Sequence, residues 1–333
     1  MIALPQPRGP LTELLLGALP RSVAPLREWP AAGDEEDLQL ALYLCFELHY
    51  RGLPGVDDRW EWEPSLLALR AELERRFEAE LRAAVPIPEP PEADAMDLAL
   101  RAIEDADEAP SLSRHLERRG TLEQFLEFVI HRSAYQLKEA DPHSWALPRL
   151  SGGPKAAMVE IQADEYGGGD PERIHAALFA RTMDALGLDS RYGAYVERIP
   201  AVTLATVNLM SMFGLQRRLR GALVGHLALS EMTSSVPNRR YASGLRRLGL
   251  GPEATGFYDE HVVADAVHEN VAAVDLAGGL ARQEPSLAAD VLWGAAALIE
   301  LEGRFARHLL GAWEAGESSL RDPAAAPAAA FRT

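Results

Sequence analysis

Residues 260–268 (EHVVADAVH) constrain the fold of this chain more than any other stretch. His261, Asp265 and His268 stand at i, i+4 and i+7, which on an α-helix places them within about 60° of arc on one face. Small apolar residues separate them, and Phe257 and Tyr258 lie one turn earlier. A helix of this pattern points inward. Two imidazoles and a carboxylate are costly to bury together unless something positive neutralises them, and a metal ion is the simplest neutraliser. The competing reading of this stretch alone is a solvated polar stripe.

Other inward faces carry the same residue types. Glu231 follows Leu219, Leu223 and Leu227 at intervals of four, so it takes the next core position of that stripe. Glu165 follows Ala157 and Ile161 in the same way, and His175 shares a face with Phe179, Met183 and Leu186. Glu139 ends a helix begun at Thr121 and is less clearly inward, because Arg132 and Tyr135 lie on its face. Glu165 and His175 are ten residues apart, a rise of about 15 Å on an unbroken helix and too far to share one ion. Gly167, Gly168 and Gly169 lie between them and let the backbone bend. The resulting set of carboxylates and imidazoles without sulfur suits non-haem iron or manganese. Two-metal centres inside helical bundles carry out dioxygen chemistry, but the paired Glu-x-x-His signature of the ferritin-like kind is missing here.

Periodicity along the chain is helical throughout, with no alternating strand pattern and no internal repeat. The spacing predicts helices over 35–50, 64–84, 94–107, 112–118, 121–139, 155–166, 170–186, 191–197, 203–212, 215–232, 240–248, 254–275 and 285–313. Residues 1–33 read as a partly ordered arm, 34–110 as a helical extension, 121–313 as the core, and 314–333 as a mobile Ala/Pro tail. The fold class is all-α. A net charge of −17 speaks against nucleic acid or an anionic membrane as partner. The single cysteine, Cys45, excludes intrachain disulfides and multi-thiolate metal sites. Neither a secretory leader nor a spanning segment is evident, so the expected location is cytoplasmic.

A carboxylate and a histidine ten apart, a lone glutamate on the next core helix, then His-x-x-x-Asp-x-x-His: this order resembles the haem-oxygenase-like di-iron oxidases and oxygenases, many of them labelled iron-containing redox enzymes. The stretch 159–169 (VEIQADEYGGG) also looks like that family. The resemblance covers roughly residues 121–313 and implies a haem-oxygenase-like seven-helix bundle. Carried over residue by residue, it implies Glu165, His175 and His268 at one iron, His261 and Asp265 at a second, and Glu231 bridging. Glu139 falls where some members place an extra carboxylate near the second iron. Two ferrous ions per chain are implied, the second labile. The implied activity is oxidation of a small organic substrate by dioxygen, as amine N-oxygenation or oxidative cleavage of an amino or fatty acid, with an external electron donor.

The remaining polar residues have plainer readings. Glu127 and His131, at i and i+4, have the spacing to ligate a metal but better suit a surface ion pair; Glu47 and His49 suit a structural role, and His226 a hydrogen-bonded core histidine. Tyr166 is placed to hydrogen-bond behind Glu165, and Trp145 is core. Arg217, Arg218, Arg220, Arg239, Arg240, Arg246 and Arg247 read as mostly solvated, with one or two available for a substrate carboxylate. The acidic helix over 64–84 offers a homodimer face. The rival function is a metal-free helical protein of the same fold that binds a small molecule or a partner. Burial of Glu231 beside His261 and His268 would speak against it. Haem degradation is disfavoured by the cavity-facing carboxylates, and a thiaminase-like hydrolase by the position of Cys45 outside the matched core.

Overall fold

In the computed structural model, residues 4–321 are described, apart from the side chains of Ala93 and Asp265–Val267. They contain no strand, and no helix among them is long and apolar enough to cross a membrane. The N-terminal third begins with α1 (Pro10–Ala18), α2 (Glu35–Glu47) and α3 (Pro64–Ala84). Asp37 joins the first two: its carboxylate accepts from Leu11 N at 3.0 Å, Thr12 N at 2.8 Å and Thr12 Oγ1 at 2.7 Å. A buried acid at a helix N-terminus is stabilised by the free amides there. Gly9 is fixed by this contact, since a Cβ on it would lie 2.5 Å from Asp37 Cγ.

Next in order come α4 (Met96–Asp105), α5 (Leu112–Arg118), α6 (Leu122–Gln136), the short α7 (Asp141–Ser144), α8 (Gly152–Glu165) and α9 (His175–Ala185). α10 (Ala201–Leu215) is apolar on almost every face and is buried accordingly. α11 (Arg220–Arg247) packs lengthwise against both α12 (Pro252–Asn270) and α14 (Ala288–Glu314). Between the latter two the chain passes through a π-helical stretch, Val271–Gly278, and α13 (Gly279–Gln283). α11 and α14 touch backbone to backbone: a Cβ on Gly225 would meet Val291 O at 1.8 Å, and one on Gly294 would meet Ala222 O at 2.0 Å. Glycine at both crossing points permits the approach.

Two apolar clusters result. One runs from α1–α3 through α10, the first half of α11 and α14; the other gathers Phe125, Phe128, Phe179, Tyr241, Phe257 and Phe305. The expected extension is therefore part of the main core. The apolar stripe of α3 (Leu66, Leu69, Leu73, Phe77 and Leu81) is buried within the chain, leaving a charged face outward.

Four sequence expectations are corrected. Most of the stretches 215–232 and 240–248, from Arg220 to Arg247, belongs to one helix, α11, which runs through Pro237. Proline removes one amide donor, but buried residues on both sides, Leu229 and Met232 before it and Tyr241 and Leu245 after it, hold the helix together. Asp170 does not start a helix; it closes a turn by accepting from Glu172 N at 3.0 Å, and α9 begins only at His175. Residues 191–197 form turns, since Gly193 takes a positive φ of 79° and Asp189 N donates to Tyr195 Oη at 2.8 Å. The tail is not mobile from its start. Ser319 N and Oγ donate to Glu127 at 2.9 and 2.6 Å, Leu320 is buried, and Arg321 N donates to Arg198 O at 2.7 Å. The rest of the tail, 322–333, lies outside the described residues.

Candidate metal centre

Five structural segments deliver the predicted residues to one interior region. Glu139 lies in the turn between α6 and α7, Glu165 closes α8, His175 opens α9, Glu231 lies within α11, and His261 and His268 lie on α12. None of the six is more than 8% exposed. The three glycines after Glu165 all adopt positive φ, from 62° to 89°, and the chain doubles back so tightly that a Cβ on Gly167 would lie 2.7 Å from Arg173 C and Ile174 N. Glu165 Oε2 thereby comes within 3.1 Å of His175 Nδ1.

Among the described residues, ligand-type atoms fall into two groups. One atom each from Glu139, Glu165, His175 and His261 lies within 4.8 Å of the others, and the same holds for Glu165, Glu231 and His268. Glu165 thus belongs to both groups. The resemblance implied another partition, with Glu231 shared and His175 beside His268. α12 explains the difference: His261 and His268 are separated by about 10 Å of helical rise, so they serve opposite ends of the site, and His175 packs against His261 with ring centroids 4.4 Å apart. Asp265 lies on the same helix, but its side chain is outside the described residues.

The contacts within these groups are short without being good hydrogen bonds. Glu139 Oε1 approaches His261 Nε2 at 3.3 Å, and Glu231 Oε2 approaches His268 Nδ1 at 3.3 Å. Glu139 Oε2, Glu165 Oε2, His175 Nδ1 and His268 Nδ1 are all buried with no hydrogen-bond partner among the described residues. Buried polar atoms are ordinarily satisfied, so several ligand-type atoms converging without hydrogen-bond geometry fit a cation. His261 Nδ1 lies 2.8 Å from Phe257 O; donation to that carbonyl leaves the lone pair on Nε2, facing Glu139. The oxygen and nitrogen donor set without thiolate fits iron or manganese.

Electrostatics point the same way. Burial lowers the His175 pKa, but the adjacent Glu165 more than offsets this and leaves it raised. His268 is raised too, burial opposing and Glu231 prevailing. Burial pushes the Glu231 carboxyl up, with His268 holding it down in part and Glu165 adding to the rise. Tyr135, half-buried near Glu139, Glu165 and Glu231, is pushed well above its ordinary range by desolvation first and those carboxylates next.

Sequence reasoning missed Asp164, whose Oδ2 lies 3.3 Å from His268 Nε2; its position beside Glu165 was the only signal. It also missed Tyr258 as a polar group: the ring is buried one turn before His261, and its hydroxyl has no partner. Tyr166 does not reach Glu165, because its hydroxyl bonds Asp141 at 2.9 Å and Ser144 at 3.0 Å. Glu127 and His131 are no surface pair. His131 is buried between Thr203 Oγ1 at 2.7 Å and Ser319 Oγ at 3.0 Å, and Glu127 holds the C-terminal segment. His226 is a buried histidine bonded to His143 at 3.1 Å. Glu47 forms a buried ion pair with Lys138 and accepts from Tyr192 Oη at 2.5 Å. Cys45 is buried and its thiol is pushed up to about 12 by that burial.

A cavity of about 490 Å³ opens beside the two groups, between the two apolar clusters; Glu139, Glu165, Glu231 and His261 line it, together with Tyr258 and the His143–His226 pair. Its volume suits a small organic molecule.

A family model described as iron-containing redox enzyme matches residues 126–303. A nitrosourea synthase from Streptomyces achromogenes subsp. streptozoticus is 29% identical over 137 residues, which are 41% of this chain and 29% of that protein. The chain thus matches under a third of that relative's length.

Proposed function

Because this chain belongs to the iron-containing redox enzyme family, we propose that its buried carboxylate–imidazole groups hold two ferrous ions and that it is a dioxygen-activating oxidase or oxygenase. The substrate in this reading is a small organic molecule in the adjoining cavity, either an amine that is N-oxygenated or an amino or fatty acid that is oxidatively cleaved. An external donor supplies electrons. The observation that carries the reading is the convergence of buried carboxylate and imidazole side chains on two overlapping points. Burial of Glu231 against His268 also weighs against the metal-free alternative, since an uncompensated carboxylate there is costly.

Glu139, Glu165, His175 and His261 would hold one ion, and Glu165, Glu231 and His268 the other. Bound iron would supply the redox chemistry that side chains lack. The protein's own part is geometric and protonic. Phe257 O fixes the His261 tautomer, and the Gly167–Gly169 turn sets the spacing of Glu165 and His175. The Tyr258 hydroxyl, lining the cavity without a partner, is free to donate to a polar atom of the bound molecule.

The test is anaerobic reconstitution with ferrous iron, metal counting, and rapid mixing with oxygenated buffer, on wild type and His261→Ala. About two irons per chain, with a transient visible band that the variant lacks, is the expected result. A wild-type protein that takes up no iron overturns it.

A further inference from the structure

Two arginines line the cavity, and they are in opposite states. Arg132 is fully engaged: its guanidinium donates to both oxygens of Glu302, at 2.8 and 2.6 Å, and lies 4.5 Å over the Phe305 ring. Arg240 is half-buried, and among the described residues its hydrogen bonding amounts to one donation to Ser113 Oγ at 3.3 Å, with no carboxylate within ion-pair distance. A guanidinium with unused, forked donors facing a cavity is a seat for a planar anion. Ser111, Ser234 and Asn238 line the same cavity and add short polar side chains.

Position gives the ligand a shape. Arg240 follows Glu231 by nine residues on α11, a rise of about 13 Å. A molecule that touches both is elongated, with its anion at one end and its oxidisable group at the other. The charge of the walls gives its anion a class. Glu104 and Asp107 also line the cavity, Glu302 being neutralised by Arg132, and they oppose a doubly charged phosphate about twice as strongly as a singly charged carboxylate.

We propose that Arg240 is the specificity-determining residue of the cavity and seats the carboxylate of an elongated substrate whose far end reaches Glu231. This rests on the reading of the cavity as the substrate site of an oxidase. It also selects Arg240 from the seven arginines that sequence alone leaves equivalent. A fatty acid and an amino acid both present the carboxylate, so the test separates the two sources.

Binding is measured by calorimetry on metal-free and iron-loaded protein with two pairs of probes, n-octanoate against 1-octanol and L-lysine against cadaverine. At least one acid should bind wild type about tenfold more tightly than its partner lacking the carboxylate. Preference within the octyl pair identifies the fatty-acid source, and preference within the lysine pair the amino-acid source. Arg240→Gln should abolish the preference while the affinity for the neutral or decarboxylated partner and the iron content stay unchanged. Arg240→Lys should restore part of it. An acid preference that survives Arg240→Gln, or the absence of any acid preference in wild type, overturns the proposal. Iron counts on the same samples keep the two questions apart: loss of preference without iron uptake would retain the carboxylate seat and reject the iron reading.

Discussion

Glu165 Oε2 and His175 Nδ1 lie 3.1 Å apart although nine residues separate them in the chain. The contact depends on three consecutive glycines in left-handed backbone, and these are not equivalent. A Cβ on Gly167 would strike the backbone at Arg173 and Ile174, whereas one on Gly168 meets nothing within 4 Å. Gly168→Ala should therefore cost about 1–2 kcal/mol, the conformational strain alone. Gly167→Ala should cost more and lower the iron content. Chemical denaturation and metal counting compare the pair; equal effects of the two would remove the turn from the account.

Sharing of Glu165 by both ligand groups makes an ordering prediction. Glu165→Ala should weaken both sites, while Glu139→Ala should weaken one and leave the ion held by Glu165, Glu231 and His268 at its wild-type affinity. Anaerobic iron titration reads both. Retention of two irons by Glu165→Ala at wild-type affinity would contradict the shared role.

The Tyr258 hydroxyl is buried without a partner, a state that costs stability of order 1 kcal/mol or more. Tyr258→Phe should therefore unfold at the same or slightly higher temperature. If the hydroxyl serves the bound molecule, the same change should weaken ligand binding or turnover several-fold. A variant less stable than wild type would show that the hydroxyl is satisfied in the native protein.

Acid should destabilise the fold through His226, whose pKa burial drives down to about 3. The unfolded imidazole titrates near pH 6.5, so between about pH 6.5 and 3 the unfolded state binds the extra proton and stability falls as pH falls. At pH 5 the loss from this one group is about 2 kcal/mol. His143, lowered well below its usual value by burial first and His226 next, acts in the same direction. Urea denaturation from pH 7 to 5 should show a flatter dependence in His226→Gln than in wild type.

Lys138 and Glu47, exposed by 0% and 1%, pair across the boundary between α2 and the turn after α6. Lys138→Met alone should cost about 3–5 kcal/mol, because it leaves a buried carboxylate uncompensated. The double change Lys138→Met, Glu47→Leu should recover much of that loss. Denaturation of the three proteins forms the cycle that checks it.

Helical class, most helix positions and six converging residues were legible because each depends on local periodicity. Glu231 and His175 interrupt apolar stripes at i+4 spacing, and such an interruption is visible without any tertiary knowledge. What sequence could not reveal depends on contacts distant in the chain. Pro237 reads as a break, and only packing of α11 against α12 and α14 explains why the helix continues. The pairing of His175 with His261 follows from where α9 lies against α12, which no spacing encodes. Ser319 and Leu320 sit in an Ala/Pro-rich tail whose composition suggests nothing fixed, and Glu127, nearly two hundred residues earlier, is what holds them.

The shared apolar cluster of α1–α3 with α10 and α14 bears on what can be cut from this protein. A fragment trimmed to the matched span 126–303 would expose the faces of α10 and α14 that α2 and α3 cover. It would also leave the Lys138 ammonium, next in sequence to Glu139, facing the space from which Glu47 had been removed. In this chain the N-terminal helices are part of the wall, and excision should yield an aggregating fragment rather than a smaller enzyme.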